Sequence, residues 1–387
     1  MRSKVYFIVL CVLLSSYLLF NLLTWNLFTR KVLADPDCSA GDLARVGYIT
    51  GSIVCKQTGN DLPRRHLEQQ EYTGQKIGVV TIGDSFSSGG GGGLNSYYQD
   101  YLATISGVEV LNVLQYKKLD LISTVSLLNN NGYLDRVKPE HVLIECAEKE
   151  CLNDLPAAID FQRTVSLEEL ERHGRIDYYK HVAELQREEA VAAVGTGTGS
   201  GGPFKLDFFS EANFKLLRNS ILYHFSDHAF FSQVYKARLD RPLFTVPEPD
   251  TLLFFHKDIK YRQKITPQNI ARMNDYLNTL ADRLAARGIR LSFMPVVDKY
   301  DLYSKYIVNN KYPESRFFEE FRKLPKRYRF IDTKSLLREE LERGEKDIYY
   351  ADETHWSWKA SRKIFQSVRF DGPGRPGTAE SEADNSK

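Results

Sequence analysis

No excess of charge of either sign marks this chain. Its 387 residues carry 52 Lys and Arg against 50 Asp and Glu, a formal net charge of +2. Such a balance leaves no electrostatic footprint for nucleic acid, and no nucleic-acid partner is expected. Cysteine is scarce, five in the whole chain, and none of its spacings resembles a zinc site. The reading therefore carries no metal, and no motif asks for a cofactor. No lipobox is present either, since Cys11 follows Leu10 inside an apolar run.

That run, residues 5–28, is about 24 residues long and interrupted by only a few polar side chains. It is long enough to cross a bilayer as a helix. Arg2 and Lys4 precede it, and Arg30 and Lys31 follow. The short basic head favours a cytoplasmic N-terminus. A cleaved signal peptide is the competitor, because Val32-Leu33-Ala34 resembles a cleavage site. The run exceeds a usual signal core, however, and two basic residues separate it from that site. We expect an uncleaved single-pass anchor over residues 1–31 and an extracytoplasmic body, periplasmic or at the cell surface. Cys38, Cys55, Cys146 and Cys151 then face an oxidising compartment. Four cysteines allow three pairings. The most local is Cys38–Cys55 with Cys146–Cys151, and the alternative leaves Cys146 a buried strand residue and Cys151 a free thiol.

The rest of the chain is organised around residues 76–93, KIGVVTIGDSFSSGGGGG. A β-like apolar run, 77–82, ends in Gly83-Asp84-Ser85. Five glycines, 89–93, follow, and a helix-like segment begins near Asn95. A strand that enters a tight turn and then a helix displays a nucleophile at the carboxyl end of a sheet. Ser85 occupies that turn, and its hydroxyl needs a base. The best base lies far away, in Asp352-Glu353-Thr354-His355-Trp356, where acidic residues precede a histidine by two and three positions.

Gly83-Asp84-Ser85 after the first strand, with Asp352-x-x-His355 near the C-terminus, resembles the SGNH/GDSL hydrolase superfamily. Thr354-His355-Trp356 resembles the SGNH-like domains of alginate-type polysaccharide O-acetyltransferases. The likeness spans about residues 76–370, and its two ends are the sharp parts. It implies a three-layer α/β/α, doubly wound parallel sheet, here with an N-terminal transmembrane helix and a helical insertion. It also implies an acyl-enzyme route through Ser85, His355 and a carboxylate. The hydrolase pattern puts that carboxylate at Asp352, and the acetyltransferase-like pattern puts it at Glu353. We take Asp352, with Glu353 as the alternative.

The remaining segments fit that frame. Residues 32–75 are polar, with scattered Gly and Pro, and read as a stalk or linker. Strands are expected at 108–113, 141–146, 289–297 and 328–331, and helices at 119–128, 316–324, 334–343 and 357–368. Thr266 and Pro267 start a helix whose apolar face is Ile270, Met273, Leu277, Leu280 and Leu284, ended by Gly288. Residues 152–265 read as an insertion or lid. Within it lie a charged helix (166–193), a Gly/Thr-rich linker (195–202) and an aromatic helical block (208–239). Residues 371–387 have the composition of a disordered tail.

The oxyanion hole is where the chain departs from the family. The superfamily supplies a glycine after the second strand and an asparagine in a GxND block after the third. Here Asn112 is followed by Val113-Leu114-Gln115-Tyr116, and the third strand by a run that reaches Asn153-Asp154 late. Asn153 is a candidate displaced donor. Gly89 and Gly90 could add backbone N–H groups, because successive free N–H groups form anion-binding nests. The other reading of the glycine run is a loop without contacts. Asp298 and Lys299, just past a strand, could bind substrate or form a plain surface turn. His224, Asp227 and His228 have ligand-like spacing but read as solvated helix residues. The expected function is a membrane-anchored acyltransferase or esterase that O-acetylates an extracytoplasmic polysaccharide, beside a polytopic membrane protein that delivers the acyl group. Two alternatives stay open: an esterase with water as acceptor, and a non-catalytic glycan-binding scaffold.

Overall fold

The computed structural model describes residues 2–35, 38–56, 62–93, 95–116, 119–166, 168–172 and 208–370. The linker at 195–202, most of the charged helix at 166–193 and the tail at 371–387 lie outside them.

Six strands form a wholly parallel sheet: β1 (Leu67–Glu68), β2 (Val79–Ile82), β3 (Val110–Asn112), β4 (His141–Ala147), β7 (Arg290–Val296) and β8 (Arg329–Phe330). Their order is β1-β3-β2-β4-β7-β8. Every neighbouring pair is parallel, from Leu67 beside Leu111 at one edge to Phe293 beside Phe330 at the other. All four residues of β2 and all seven of β4 are buried. Continuous apolar strands of this kind are what a sheet covered on both faces demands.

Two separately packed groups of helices cover the sheet. One comprises Tyr98–Ser106, Thr333–Glu342 and Trp358–Ser367, and Tyr98 stacks on Phe365 there. The other comprises Leu121–Asn130, Pro267–Ala285 and Phe317–Arg322. The Pro267–Ala285 helix begins as its sequence predicts. Thr266 accepts a hydrogen bond from Asn269 N, Pro267 occupies the first turn, and the predicted apolar face is buried. The architecture is the expected α/β/α sandwich.

Chain order decides where a site can form. The chain leaves β2 for β3 on one side, then crosses back to β4 on the other side. The carboxyl ends of β2 and β4 therefore flank the crevice where such sheets bind ligands. Gly83-Asp84-Ser85 leaves β2 at that point.

Three segments differ from their reading in sequence. Residues 38–56 and 62–75 do not stand off as a stalk. Cys38 and Cys55 are bridged, Asp42–Gly47 is helical, and β1 extends the sheet. The aromatic block at 208–239 is only partly helical. The helix Glu211–Phe225 ends, and a hairpin follows from β5 (Val234–Arg238) and β6 (Thr251–Phe255). Val234 and Leu253 from that hairpin pack with Leu43 and Ile49 in a small separate core. Cys146 and Cys151 are not bridged. Both are buried thiols, and the Cys151 thiol donates to the Cys146 carbonyl at 3.3 Å.

At the N-terminus, one helical stretch, Ser3–Leu33, is long and apolar enough to cross a membrane; its most apolar part is almost wholly unburied, whereas Asn21, Thr29 and Val32 near its end are buried. Length and composition alone carry that statement, and a signal sequence meets the same test.

Candidate active site

The turn after β2 is built on contacts that admit little else. A Cβ on Gly83 would lie 2.2 Å from both Glu145 Oε2 and Ser87 Oγ. Asp84 fastens the turn to the neighbouring strand. Its Oδ2 accepts from Ala147 N at 2.7 Å, and its Oδ1 accepts from Phe86 N at 3.1 Å. Beneath the turn Glu145 is fully buried and accepts from Ser87 Oγ at 2.8 Å. Burial, reinforced by the Asp84 carboxylate, pushes the Glu145 carboxyl well above the usual range. Glu145 and Asp84 thus brace the turn and leave Ser85 outermost.

Ser85 is exposed, and its Oγ lies 2.8 Å from His355 Nε2. The two residues are separated by 270 positions in the chain. The other ring nitrogen, Nδ1, lies 3.0 Å from Glu353 Oε1. Phe86 meets the imidazole edge-on at 4.7 Å between ring centres. The glycine run lies over the imidazole. A Cβ on Gly90 would fall 2.3 Å from Nε2 and 2.6 Å from the Ser85 carbonyl oxygen. Gly90 N donates to that carbonyl at 2.8 Å, so this N–H is taken up within the turn and is not the free anion donor expected of it. Gly89 packs its bare Cα against the Tyr97 ring. Gly89 and Gly90 therefore make defined contacts, rather than belonging to a contact-free loop.

The acid behind His355 is Glu353, and Asp352 does other work. Asp352 Oδ2 accepts from Gly41 N at 2.8 Å and Val54 N at 3.0 Å. The Asp352 carbonyl accepts from Leu43 N and Ala44 N. The two adjacent residues place their side chains apart, so one reaches the imidazole and the other holds residues 41–54. Glu353 Oε2 receives Lys56 Nζ at 2.8 Å and Asp42 N at 3.2 Å. Burial opposes charge on Glu353, but hydrogen bonding to His355 and the Lys56 ammonium overcome it and hold the carboxyl well below its usual range. Asp42 bonds the Thr354 hydroxyl at 2.6 Å and the Thr354 N–H at 2.8 Å. Burial and the nearby Glu353 push Asp42 up to about 6.

Lys299 is neither a substrate ligand nor a surface turn. It is buried, and its ammonium donates to the carbonyls of Tyr350, Ala351 and Glu353 at 2.7, 2.9 and 3.1 Å. It staples the turn that carries Glu353 and His355. Burial lowers Lys299 to about 8, against the pull of the Asp352, Asp42 and Glu353 carboxylates. Asp298 is buried too and bonds Lys149 at 3.1 Å. Asn153 spends its amide locally, on Asp154 Oδ1 at 2.8 Å and Glu150 Oε2 at 3.5 Å. It is not a donor at Ser85. Asn112 is also committed, to Ser87 O, Thr81 Oγ1 and Gln99. The Ser85 backbone N–H, by contrast, has no protein acceptor among the described residues.

Lys56 and Asp42 escaped sequence reasoning. Both sit in a polar stretch without a motif, and only their adjacency to Cys38 and Cys55 hinted that the stretch is ordered. Asp42, Glu353 and His355 offer three ligand atoms within 4.8 Å of one another, but Lys56 already supplies the positive charge on Glu353. His224, Asp227 and His228 do not converge. The helix ends at Phe225, Asp227 accepts from the Tyr312 hydroxyl, and His228 Nε2 lies 2.8 Å from the Ser232 carbonyl.

No curated protein matches the chain. The match to a protein family begins after Ser85 and takes in the turn with Glu353 and His355, just under a third of the chain. Residues 248–369 match the family described as the SGNH hydrolase-like domain of the acetyltransferase AlgX.

Proposed function

We propose that this chain is a membrane-anchored, serine-dependent O-acyltransferase that acts on an extracytoplasmic polysaccharide, with acetyl as the acyl group. The observation that carries the reading is the unbroken line of hydrogen bonds from Ser85 Oγ through His355 to Glu353 and Lys56. Nucleophile and base come from opposite ends of the chain, which a fortuitous surface turn would not arrange. The description of the matched family names an acetyltransferase, and this supports the acyl class. The Ser3–Leu33 helix and the Cys38–Cys55 bridge support an anchor with the body in an oxidising compartment.

In this mechanism His355 Nε2 takes the hydroxyl proton as Ser85 Oγ bonds to the carbonyl carbon of the donor ester. Glu353 fixes the imidazole tautomer and stabilises the imidazolium that forms. The tetrahedral intermediate then expels the donor alcohol, which leaves with the proton from Nε2. In the second half a sugar hydroxyl gives its proton to Nε2 and attacks the acyl-enzyme, and Ser85 departs reprotonated. The Ser85 N–H is the candidate oxyanion donor. A single such donor is worth about 3 kcal/mol of transition-state stabilisation. With water as acceptor the same steps describe an esterase. A polytopic membrane protein would present the acyl donor at the membrane.

A serine-reactive fluorophosphonate tests the reading on the full-length protein in detergent. We expect an adduct on Ser85 that disappears in His355→Ala. No adduct on folded protein would overturn the catalytic reading in favour of a glycan-binding scaffold. Adding an acetylated ester with a glycan acceptor, and following product mass, separates transfer from hydrolysis.

A further inference from the structure

The helix Glu211–Phe225 packs on the body through one face and leaves the opposite face apolar and bare. Ala212, Asn213, Leu216 and Asn219 are buried. Phe214, Leu217, Ile221 and Phe225 are spaced three or four apart along one stripe; Phe214 begins it against the N-terminal helix, and Leu217, Ile221 and Phe225 are exposed, Phe225 by 82%. In the loop that follows, Phe231 adjoins the helix through Arg218 and Phe230 packs on Phe231, and the two are exposed by 67% and 79%. A contiguous patch of large apolar side chains on a folded protein marks an interaction site.

The position of the patch identifies its occupant. A helix from Lys4 crosses a hydrocarbon core in about 20 residues, which brings it to the outer boundary near residue 24. Just inside that boundary Phe214 packs on Tyr17 and Phe20, with ring centres 6.3 and 5.0 Å apart, and Phe209 stacks on Tyr17 at 5.9 Å. Asn213 bonds both Asn21 and Thr29 of the anchor, at 2.9 and 2.7 Å. The bare stripe is therefore continuous with the lipid-facing surface of the anchor. Arg218 lies at its edge, over the Phe231 ring at 4.9 Å, and Lys215 beyond it is paired with Glu211. An apolar stripe with basic residues at its margin is the composition of a helix lying in the bilayer interface.

We propose that the helix Glu211–Phe225, with Phe230 and Phe231, beds into the outer leaflet beside the anchor and holds the body against the membrane surface. This goes beyond the catalytic reading and rests only on the anchor being retained. The same helix reaches the site region, since Asn219 donates to the Gly47 carbonyl at 3.0 Å and the Asp42–Gly47 helix is tied to Asp352 and Thr354. Bilayer contact would thereby set the orientation of the Ser85 crevice relative to the membrane.

Spin labelling of the full chain, one copy per phosphatidylcholine/phosphatidylglycerol nanodisc, tests this. Labels go on Ile221→Cys, Phe225→Cys and Phe230→Cys, each with Cys11→Ser, on Glu342→Cys as a solvent reference, and on native Cys11 as a reference for the anchor. We expect oxygen to relax the three test labels more than a water-soluble nickel chelate does, by about threefold or more, with the reverse at residue 342. Nickel dominance at residues 221 and 225, with Cys11 in lipid, would overturn the proposal and leave the anchor intact. Protection from both relaxants would also overturn it, because protein rather than lipid would then cover the stripe. Nickel access at Cys11 would sink the anchor reading and this proposal with it.

Discussion

Glu353 and Asp352 are adjacent carboxylates whose substitution should affect turnover differently. Glu353→Gln keeps the size of the side chain but cannot stabilise an imidazolium, so turnover per folded molecule should fall by about 10³–10⁴, and the melting temperature should fall too because the buried Lys56 ammonium loses its counter-charge. Asp352→Asn leaves the His355 contact intact and weakens the grip on Gly41 and Val54. It should cost about 1–3 kcal/mol of stability while turnover per folded molecule holds. Kinetics and thermal melts on the same samples check both, and the reverse pattern would return the orienting role to Asp352. Lys299 makes a pH prediction. The unfolded chain keeps this proton to the ordinary value of 10.5, whereas the folded protein releases it at about 8. Between those values the unfolded state binds more protons, so this group makes stability rise with pH across that window. Lys299→Met should remove that rise in denaturant titrations. It should also lower stability at neutral pH by about 3–5 kcal/mol, because three carbonyls lose their shared donor.

At the scale of elements, the glycine run and the segment at 38–56 act as two walls of one site. Gly90 and Gly92 separate close approach from backbone strain. Alanine at Gly90 would drive a methyl group into His355 and the Ser85 carbonyl, and a displacement of about 1 Å at a reacting group costs about 10²-fold in rate. Gly92 has φ +60° and open space around it. Gly92→Ala should therefore cost only about 1 kcal/mol of stability and leave turnover unchanged. Equal activity loss in both variants would argue against a specific Gly90 contact. The Cys38–Cys55 bridge closes a 17-residue separation just before Lys56. Its removal by Cys38→Ser with Cys55→Ser should cost about 3 kcal/mol in the chain-entropy model. Turnover should fall as well, since Lys56 loses its fixed position on Glu353. Calorimetry with a fluorophosphonate rate reads both effects.

For the whole molecule, the reading requires that residues 1–33 survive in the mature protein. Protein recovered from membranes should have the intact mass of the full chain and resist carbonate extraction. A mass beginning near residue 35 would mean a cleaved signal sequence. If the anchor is exchanged for a cleavable leader, Ser85 should still label, because no anchor side chain enters its hydrogen-bond chain, whereas transfer from a membrane-held donor should drop.

Much of the molecule was legible in local pattern. Apolar runs such as HVLIEC over 141–146 become buried strands because period and composition are properties of the segment itself. The same holds for the Thr266-Pro267 start and the long apolar N-terminal helix, and the two motifs at Ser85 and His355 named side chains that meet at 2.8 Å. Only tertiary structure decided what depends on contacts between distant segments. A two-residue edge strand at Leu67–Glu68 has too little sequence to show a period, and it exists because β3 offers a free edge. The choice of Glu353 over Asp352 follows from the placement of residues 41–56 against the turn. Lys299 reads as a surface turn until three carbonyls surround it. Lys56 lies 297 residues from its partner, and nothing in its own neighbourhood announces that it completes the site.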